Sequence, residues 1–236
     1  MSSTARGAIR IENDFYETPS WTIRAILREL GDIAPTRILE PMAGRGAIVR
    51  ELIKKWPSAS IEANELDRGR FEIVHKVNSS GPTYNYDFLD PHAGNETTFD
   101  LGITNPSFEL AIPTAQKMFM LCRETVLLLR LNMLGSMERS YFWQLKPADV
   151  FVLPKRPSFA ASLKCAAGRA CGWKVTQHLD APRPTECPQC RSKVIVVTSD
   201  SCEYAWFVWG PGRGNRWKIL DIKEDDELEL IESGKE

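Results

Sequence analysis

The chain has 236 residues, of which 43% are hydrophobic and 26% charged, and its formal net charge is −1. That supports one large α/β domain, or such a domain with a small insert, and excludes a disordered chain. No apolar run approaches the ~18 residues that cross a bilayer, so no membrane partner is expected. The opening residues, MSSTARGAIRIEND, lack the apolar core of a signal peptide, and the expected location is cytoplasmic. Six cysteines in a reducing compartment point to metal binding rather than disulfides.

The charge is unevenly spread. Residues 121–220 carry 15 Lys and Arg against 7 Asp and Glu, whereas residues 221–236 carry 2 against 8. A basic second half suits a polyanionic partner, although the same excess also suits an ordinary solvated face.

Residues 1–12 read as a flexible tail, and the first helix is expected at Trp21–Leu30. Short apolar runs then alternate with helix-like stretches. RILEP (37–41) is a strand candidate, followed by a helix at Ala47–Lys55. SIEANE (60–65) precedes a helix at Arg68–Val77, and YNYDF (84–88) is a third strand. DLGITN (100–105), a helix at Leu110–Cys122, TVLLLRL (125–131) and a helix at Met137–Gln144 continue the pattern. VFVLPKR (150–156) and EYAWFVW (203–209) close it. The alternation predicts a parallel sheet with helices on both faces, over 13–160 and 198–222. A cysteine-bearing insert is expected at 161–197 and a mobile acidic tail at 223–236.

Such sheets bind ligands beyond the carboxyl ends of their strands. The first strand ends in EPMAGRGAI, where Gly44 and Gly46 let the backbone approach a ligand at a helix start. A dinucleotide fingerprint would need a third glycine where Val49 stands. Glu40 would repel a pyrophosphate and suits an ammonium group. About twenty residues on, Glu65 could accept from both ribose hydroxyls. The third strand offers Asp87 to an adenine amino group and Phe88 to a ring face. Ammonium, ribose and adenine together describe S-adenosylmethionine. Taken singly, each residue is equally a loop glycine or a surface acid; their order at three successive strand ends carries the reading.

NDFYETP (13–19), EPMAGRG, NELD, YDFLD and NPSF also stand in the order found in Rossmann-like class I methyltransferases that use S-adenosylmethionine. More narrowly, the chain resembles the amino-methyltransferases of DNA adenine. LLLRLNMLGSMERSYFWQLKP, VLPKRPSF and DSCEYAWFVW look like orphan phage-type members of that group, which implies a bacterial or phage-infected cell. The likeness covers about residues 13–160 and 198–210. It implies that Phe15, Tyr16, Thr18, Glu40, Pro41, Ala43, Gly44, Gly46, Glu65, Asp87, Phe88 and Asn105 hold the cofactor. It further implies that Asn105, Pro106, Ser107 and Phe108 form the catalytic motif. The Asn105 side-chain oxygen and the Pro106 carbonyl would accept from the adenine amino group, while Phe108 stacks on the base. Phe159 would hold its second face, although core packing is the common fate of such a residue. Phe15 or Tyr16 equally suits a hydrophobic staple at the helix entry. The family pattern has a second proline at Ser107 and often tyrosine at Phe108. Ser107 is therefore expected to loosen the turn and leaves the target atom open. An RNA base, a protein glutamine amide, or a non-catalytic nucleic-acid-binding role are the alternatives.

Cys165, Cys171, Cys187 and Cys190 are spaced C-x5-C-x15-C-x2-C, and ECPQCRS is a zinc-knuckle sequence. Four thiolates predict a closed, structural Zn²⁺ site, with His178 able to replace Cys165 or Cys171. Lys155, Arg156, Lys164, Arg169, Lys174, Arg183, Arg191 and Lys193 surround it and could meet phosphates. Cys122 and Cys202 read as small buried residues. WFVWGPGRGNRWK (206–218), with Arg213, Arg216 and Lys218, reads as a core strand and glycine turn, or as a segment beside nucleic acid.

Overall fold

The computed structural model describes residues 17–92, 98–157, 159, 161–177, 184–197, 202–214, 216–223 and 226. Its first half alternates strand and helix. Helix α1 (Ser20–Glu29) precedes β1 (Arg37–Glu40), α2 (Ala47–Lys55), β2 (Ser60–Asn64), α3 (Arg68–Val77) and β3 (Thr83–Tyr84). Then come β4 (Phe99–Thr104), a 3₁₀ turn at Phe108–Leu110, α4 (Ala111–Leu121), β5 (Cys122–Arg130), α5 (Met137–Leu145) and β6 (Asp149–Val152). After the strands β7 (Ala161–Cys165), β8 (Lys174–Gln177) and β9 (Val194–Val197), the chain returns through β10 (Tyr204–Trp209) and β11 (Trp217–Ile219).

The large sheet has the order β11-β6-β10-β5-β4-β1-β2-β3. Its pairings are parallel except those of β10, which runs antiparallel to β5 and β6. This is the sheet of Rossmann-like class I methyltransferases. Its central strands are apolar on both faces because helices cover both. Along β5, Val126 and Leu128 join one core with β1, β2, α1 and α2 residues. Leu127 and Leu129 point oppositely into a second core with Ala115 and Met118 of α4. A period of two with both phases filled is what a doubly covered strand requires. The strand order changes direction between β1 and β4, so the loops after these strands flank a crevice.

The expected third strand shortens. Only Thr83 and Tyr84 pair with β2, and Asp87 and Phe88 lie in the turn beyond. Asn85 withdraws from the ladder because its Nδ2 donates to the Glu65 and Leu66 carbonyls, at 2.7 and 2.9 Å. The strand expected to 156 stops at Val152, ahead of Pro154. Strand β11 was not anticipated; it lies where a glycine turn was expected to finish the fold. Of the stretch expected as an acidic tail, residues 223 and 226 are described. Asp226 is fully buried and accepts from Arg24 Nε at 2.9 Å and Arg28 Nη2 at 2.7 Å, both on α1. Among the described residues no helix is long and apolar enough to cross a membrane.

Candidate active site

A cavity of about 780 Å³ opens over the carboxyl ends of β1, β2 and β4. Its floor is the loop from β1 to α2. Gly44 and Gly46 have φ of 56° and 85°, the left-handed region that favours glycine. The Gly46 N–H donates to the Ala43 carbonyl at 2.8 Å, closing the turn that launches α2. Asn64, at the end of β2, locks this loop to the next one. Its Nδ2 donates to the carbonyls of Pro41 (3.0 Å) and Tyr86 (3.1 Å).

Glu65 also braces the loop, accepting from Gly44 N–H at 2.8 Å through Oε2. Its Oε1 accepts from Asp67 N–H at 2.9 Å and Arg70 Nε at 3.1 Å. A carboxylate offers about four lone-pair sites, so three protein donors leave room for about one ribose hydroxyl, not two. A two-hydroxyl grip requires Arg70 to withdraw. Arg70 is a residue that sequence reasoning passed over, although its position five after Glu65 on an adjoining helix was a readable signal.

Glu40 is fully buried behind this floor and is not itself a wall residue, nor is Gly46. Its Oε1 accepts from Met42 N–H at 3.1 Å, while Oε2 has no partner within hydrogen-bond geometry among the described residues and has the buried Thr104 hydroxyl as its polar neighbour. Desolvation pushes its carboxyl up to about 8. A buried acid with one orphan oxygen fits a cationic ligand group. Arg45 Nε, in the glycine loop, is likewise buried and has no hydrogen-bond partner among the described residues.

Asp87 and Phe88 both reach the cavity wall, Asp87 exposed and Phe88 buried. Asp87 Oδ1 accepts from Leu89 N–H at 2.9 Å, and Lys117 Nζ lies 5.0 Å from the Phe88 ring centroid.

The far end of the same cavity is Asn105, Pro106, Ser107 and Phe108, beyond β4, with Phe159. Asn105 Nδ2 donates to Thr18 Oγ1 at 3.0 Å, which orients the carboxamide. Thr18, expected among the cofactor contacts, thus also touches the acceptor-side residue. Ser107 does not loosen the backbone. Its φ of −59° and ψ of 145° are angles a proline would adopt. Phe108 is half-buried, with the Arg130 Cζ 3.6 Å from its ring centroid. Phe159 is buried and packs edge-on to Tyr204 at 4.9 Å. Arg130 was not singled out from sequence. Phe15, Tyr16, His178 and Arg183 lie outside the described residues.

Cys165 ends β7 of the small sheet, β8-β7-β9, and its sulfur lies within 4.8 Å of those of Cys171, Cys187 and Cys190, which sit in the connections between the strands. Cys165 and Cys190 Sγ are 3.3 Å apart, and Cys171 and Cys187 Sγ 3.6 Å. Tetrahedral zinc–thiolate bonds of ~2.3 Å place sulfurs ~3.8 Å apart, so this donor set fits zinc. The Arg191 N–H returns to the Cys187 carbonyl at 2.8 Å, and Ala167 N–H donates to Cys165 Sγ at 3.3 Å. Lys155, Arg156, Lys164, Arg169, Lys174, Arg191 and Lys193 are exposed, Arg156 in an ion pair with Glu203. By contrast, Arg213 pairs with Glu124 and Asp149, and Arg216 and Lys218 pair with Glu29. Within 206–218, β10 is a core strand and Arg213 is held in buried ion pairs, whereas Arg216 and Lys218 keep exposed side chains beside their acidic partner.

No family model matches the chain. A curated relative, the type II methyltransferase M.CvrRI of Paramecium bursaria Chlorella virus XZ-6E, is 29% identical over 99 residues. That stretch is 42% of this chain and 25% of the viral protein, so the match spans about a quarter of the relative's length. The modification subunit of an assigned type I restriction enzyme from Vibrio vulnificus YJ016 superposes with a TM-score of 0.54 at 12% identity, covering 94% of this chain and 53% of that one. Protein PH1948 of Pyrococcus horikoshii, assigned as an RNA methyltransferase, gives 0.51 at 14% identity over 84% and 89% of the two chains. Precorrin-6y C5,15-methyltransferase of Geobacter metallireducens GS-15 gives 0.50 at 13% over 86% and 97%. These likenesses establish the fold shared with methyltransferases.

Proposed function

We propose that this chain is an S-adenosylmethionine-dependent methyltransferase acting on the exocyclic amino group of adenine in DNA. One observation carries the reading. A single cavity joins the Gly44–Glu65–Asp87 end to the Asn105–Phe108 end. Its volume falls within the ~300–1,000 Å³ of small-molecule sites. The viral type II methyltransferase likeness, short as it is, supports DNA as acceptor.

Glu65 and Asp87 on the cavity wall would hold the cofactor, with Glu40 behind the floor as the acid facing its ammonium group once the floor adjusts, and the sulfonium supplies an electrophilic methyl carbon. The chain's residues do the rest by placement. The adenine amino lone pair is delocalised into the ring and attacks poorly. Asn105 Oδ1 and the Pro106 carbonyl would accept its two hydrogens and favour the pyramidal nitrogen. The hydrogen bond from Asn105 Nδ2 to Thr18 Oγ1 supports this orientation, since it would leave the amide oxygen for the substrate. Phe108 would stack on the base, a contact of about 1–3 kcal/mol. No strong base is needed, because the proton leaves after the nitrogen has become cationic; positioning and electrostatics carry the step. A paired base cannot reach such a cavity, so the target would be flipped out or unpaired. Zn²⁺ on the four cysteines would be structural, and the exposed lysines and arginines around it would meet phosphates.

The test is product identification. The protein is incubated with methyl-labelled S-adenosylmethionine and, separately, DNA, RNA and protein, and the digests are analysed. Label in N6-methyladenine from DNA is expected. Label in cytosine, RNA or glutamine redirects the acceptor. Cofactor binding with transfer to none of them would overturn the reading in favour of a binding module.

A further inference from the structure

Phe108 and Phe159 reach the acceptor end of the cavity on separate loops, after β4 and after β6. Behind them stands a pair from the rigid sheet. Arg130 on β5 and Tyr204 on β10 are directly opposed in the antiparallel register. Arg130 Nε donates to the Tyr204 hydroxyl at 3.0 Å, and its Cζ lies 3.6 Å from the Phe108 centroid. Tyr204 is 1% exposed, and its ring touches both others, at 4.9 Å from Phe159 and 6.0 Å from Phe108. Both phenylalanines are cavity walls, whereas Arg130 and Tyr204 are not.

We infer that Arg130 and Tyr204 are positioning residues for the acceptor ring, setting the place and tilt of the two aromatic walls that receive it. The inference rests on the reading above. A planar guanidinium stacks flat on a ring, and the tyrosine hydroxyl fixes its plane; a lysine ammonium does neither. The cation stacked on Phe108 therefore works as a back-plate for that ring rather than as a phosphate contact.

The experiment is a double-mutant cycle of Arg130→Met and Phe108→Ala, with Arg130→Lys and Tyr204→Phe alongside, read as steady-state transfer to nucleic acid. Loss of the stack is worth about tenfold. Arg130→Met, Arg130→Lys and Tyr204→Phe are each expected to raise KM for nucleic acid about five- to tenfold, with cofactor affinity kept within about twofold. Arg130→Met on Phe108→Ala is expected to add less than about twofold, since its effect passes through that ring. The salt dependence of binding should not change, as it would if a phosphate contact were lost. Phe108→Leu repeats the cycle should the alanine variant fail to fold. Multiplicative effects, a wild-type-like Arg130→Lys, or a reduced salt slope would each overturn the inference while leaving the proposed reaction intact. A wild-type protein that transfers to no nucleic acid would remove the reaction first, and the inference with it.

Discussion

Glu40 combines complete burial with one orphan oxygen. Its carboxyl, raised to about 8 from 4.5, keeps a proton in the folded chain that the unfolded chain releases. Native protein then binds more protons than unfolded protein between those values, so stability falls as pH rises through that window. The whole effect is at most a few kcal/mol, a large share of a typical domain's ~5–15 kcal/mol. Melting temperature should therefore decline from about pH 5 to pH 8, and Glu40→Gln should flatten the decline. A cationic ligand group favours the ionised acid, so cofactor affinity should tighten from about pH 6 to pH 7.5 in the wild type and not in Glu40→Gln. Parallel curves for the two proteins would remove Glu40 from the site. At the other end of the cavity, Asn105→Ala is expected to lower transfer by at least about a hundredfold, as loss of a transition-state contact does, with cofactor affinity nearly unchanged. Calorimetry with S-adenosylmethionine checks the second half; a large loss of affinity would reassign Asn105 to the cofactor.

Two short backbone segments set where these side chains stand. At Gly46, φ is 85°, and an added Cβ would sit 3.2 Å from Val74 Cγ2 and Val77 Cγ1. Gly46→Ala should cost about 1–3 kcal/mol in urea unfolding at unchanged m. Ser107 is the opposite case, because its angles already suit proline. Ser107→Pro is expected to stabilise by ~0.4–1 kcal/mol and to keep transfer; a lost activity would mean that the serine N–H or hydroxyl is used. The same contrast explains what could be read without coordinates. Runs such as TVLLLRL and YAWFVW announce β5 and β10 because both phases of their alternation are apolar. YNYDF alternates just as well, yet the edge position of β3 and the Asn85 side chain end it after Tyr84. Glu40, Glu65 and Asn105 were legible as strand-end residues. Arg130 was not, because its partner Tyr204 lies 74 residues away and only the β5–β10 register brings them together.

Across the whole molecule, two sheets of unequal means are carried on one chain. The eight-stranded sheet is held by two apolar cores. Leu163 and Cys165 on the three-stranded sheet and Cys187 in the loop before β9 are buried. Units of about 40 residues generally bury too little to offset an ordering entropy of ~1–2 kcal/mol per residue, which is why they need a staple. The four clustered sulfurs are the staple available, and a metal there would contribute folding free energy directly. Elemental analysis should find one zinc per chain. Chelation with cysteine alkylation should then open residues 161–197 to protease while the large sheet keeps its cooperative melt and its cofactor affinity. Nucleic-acid affinity should fall in the same sample, since Lys164, Arg169, Lys174, Arg191 and Lys193 would lose their common platform. A metal-free chain with an intact protease pattern would show that the cysteines are not the staple. Unfolding of both sheets together would show that the small one is part of the main cooperative unit rather than an appended one.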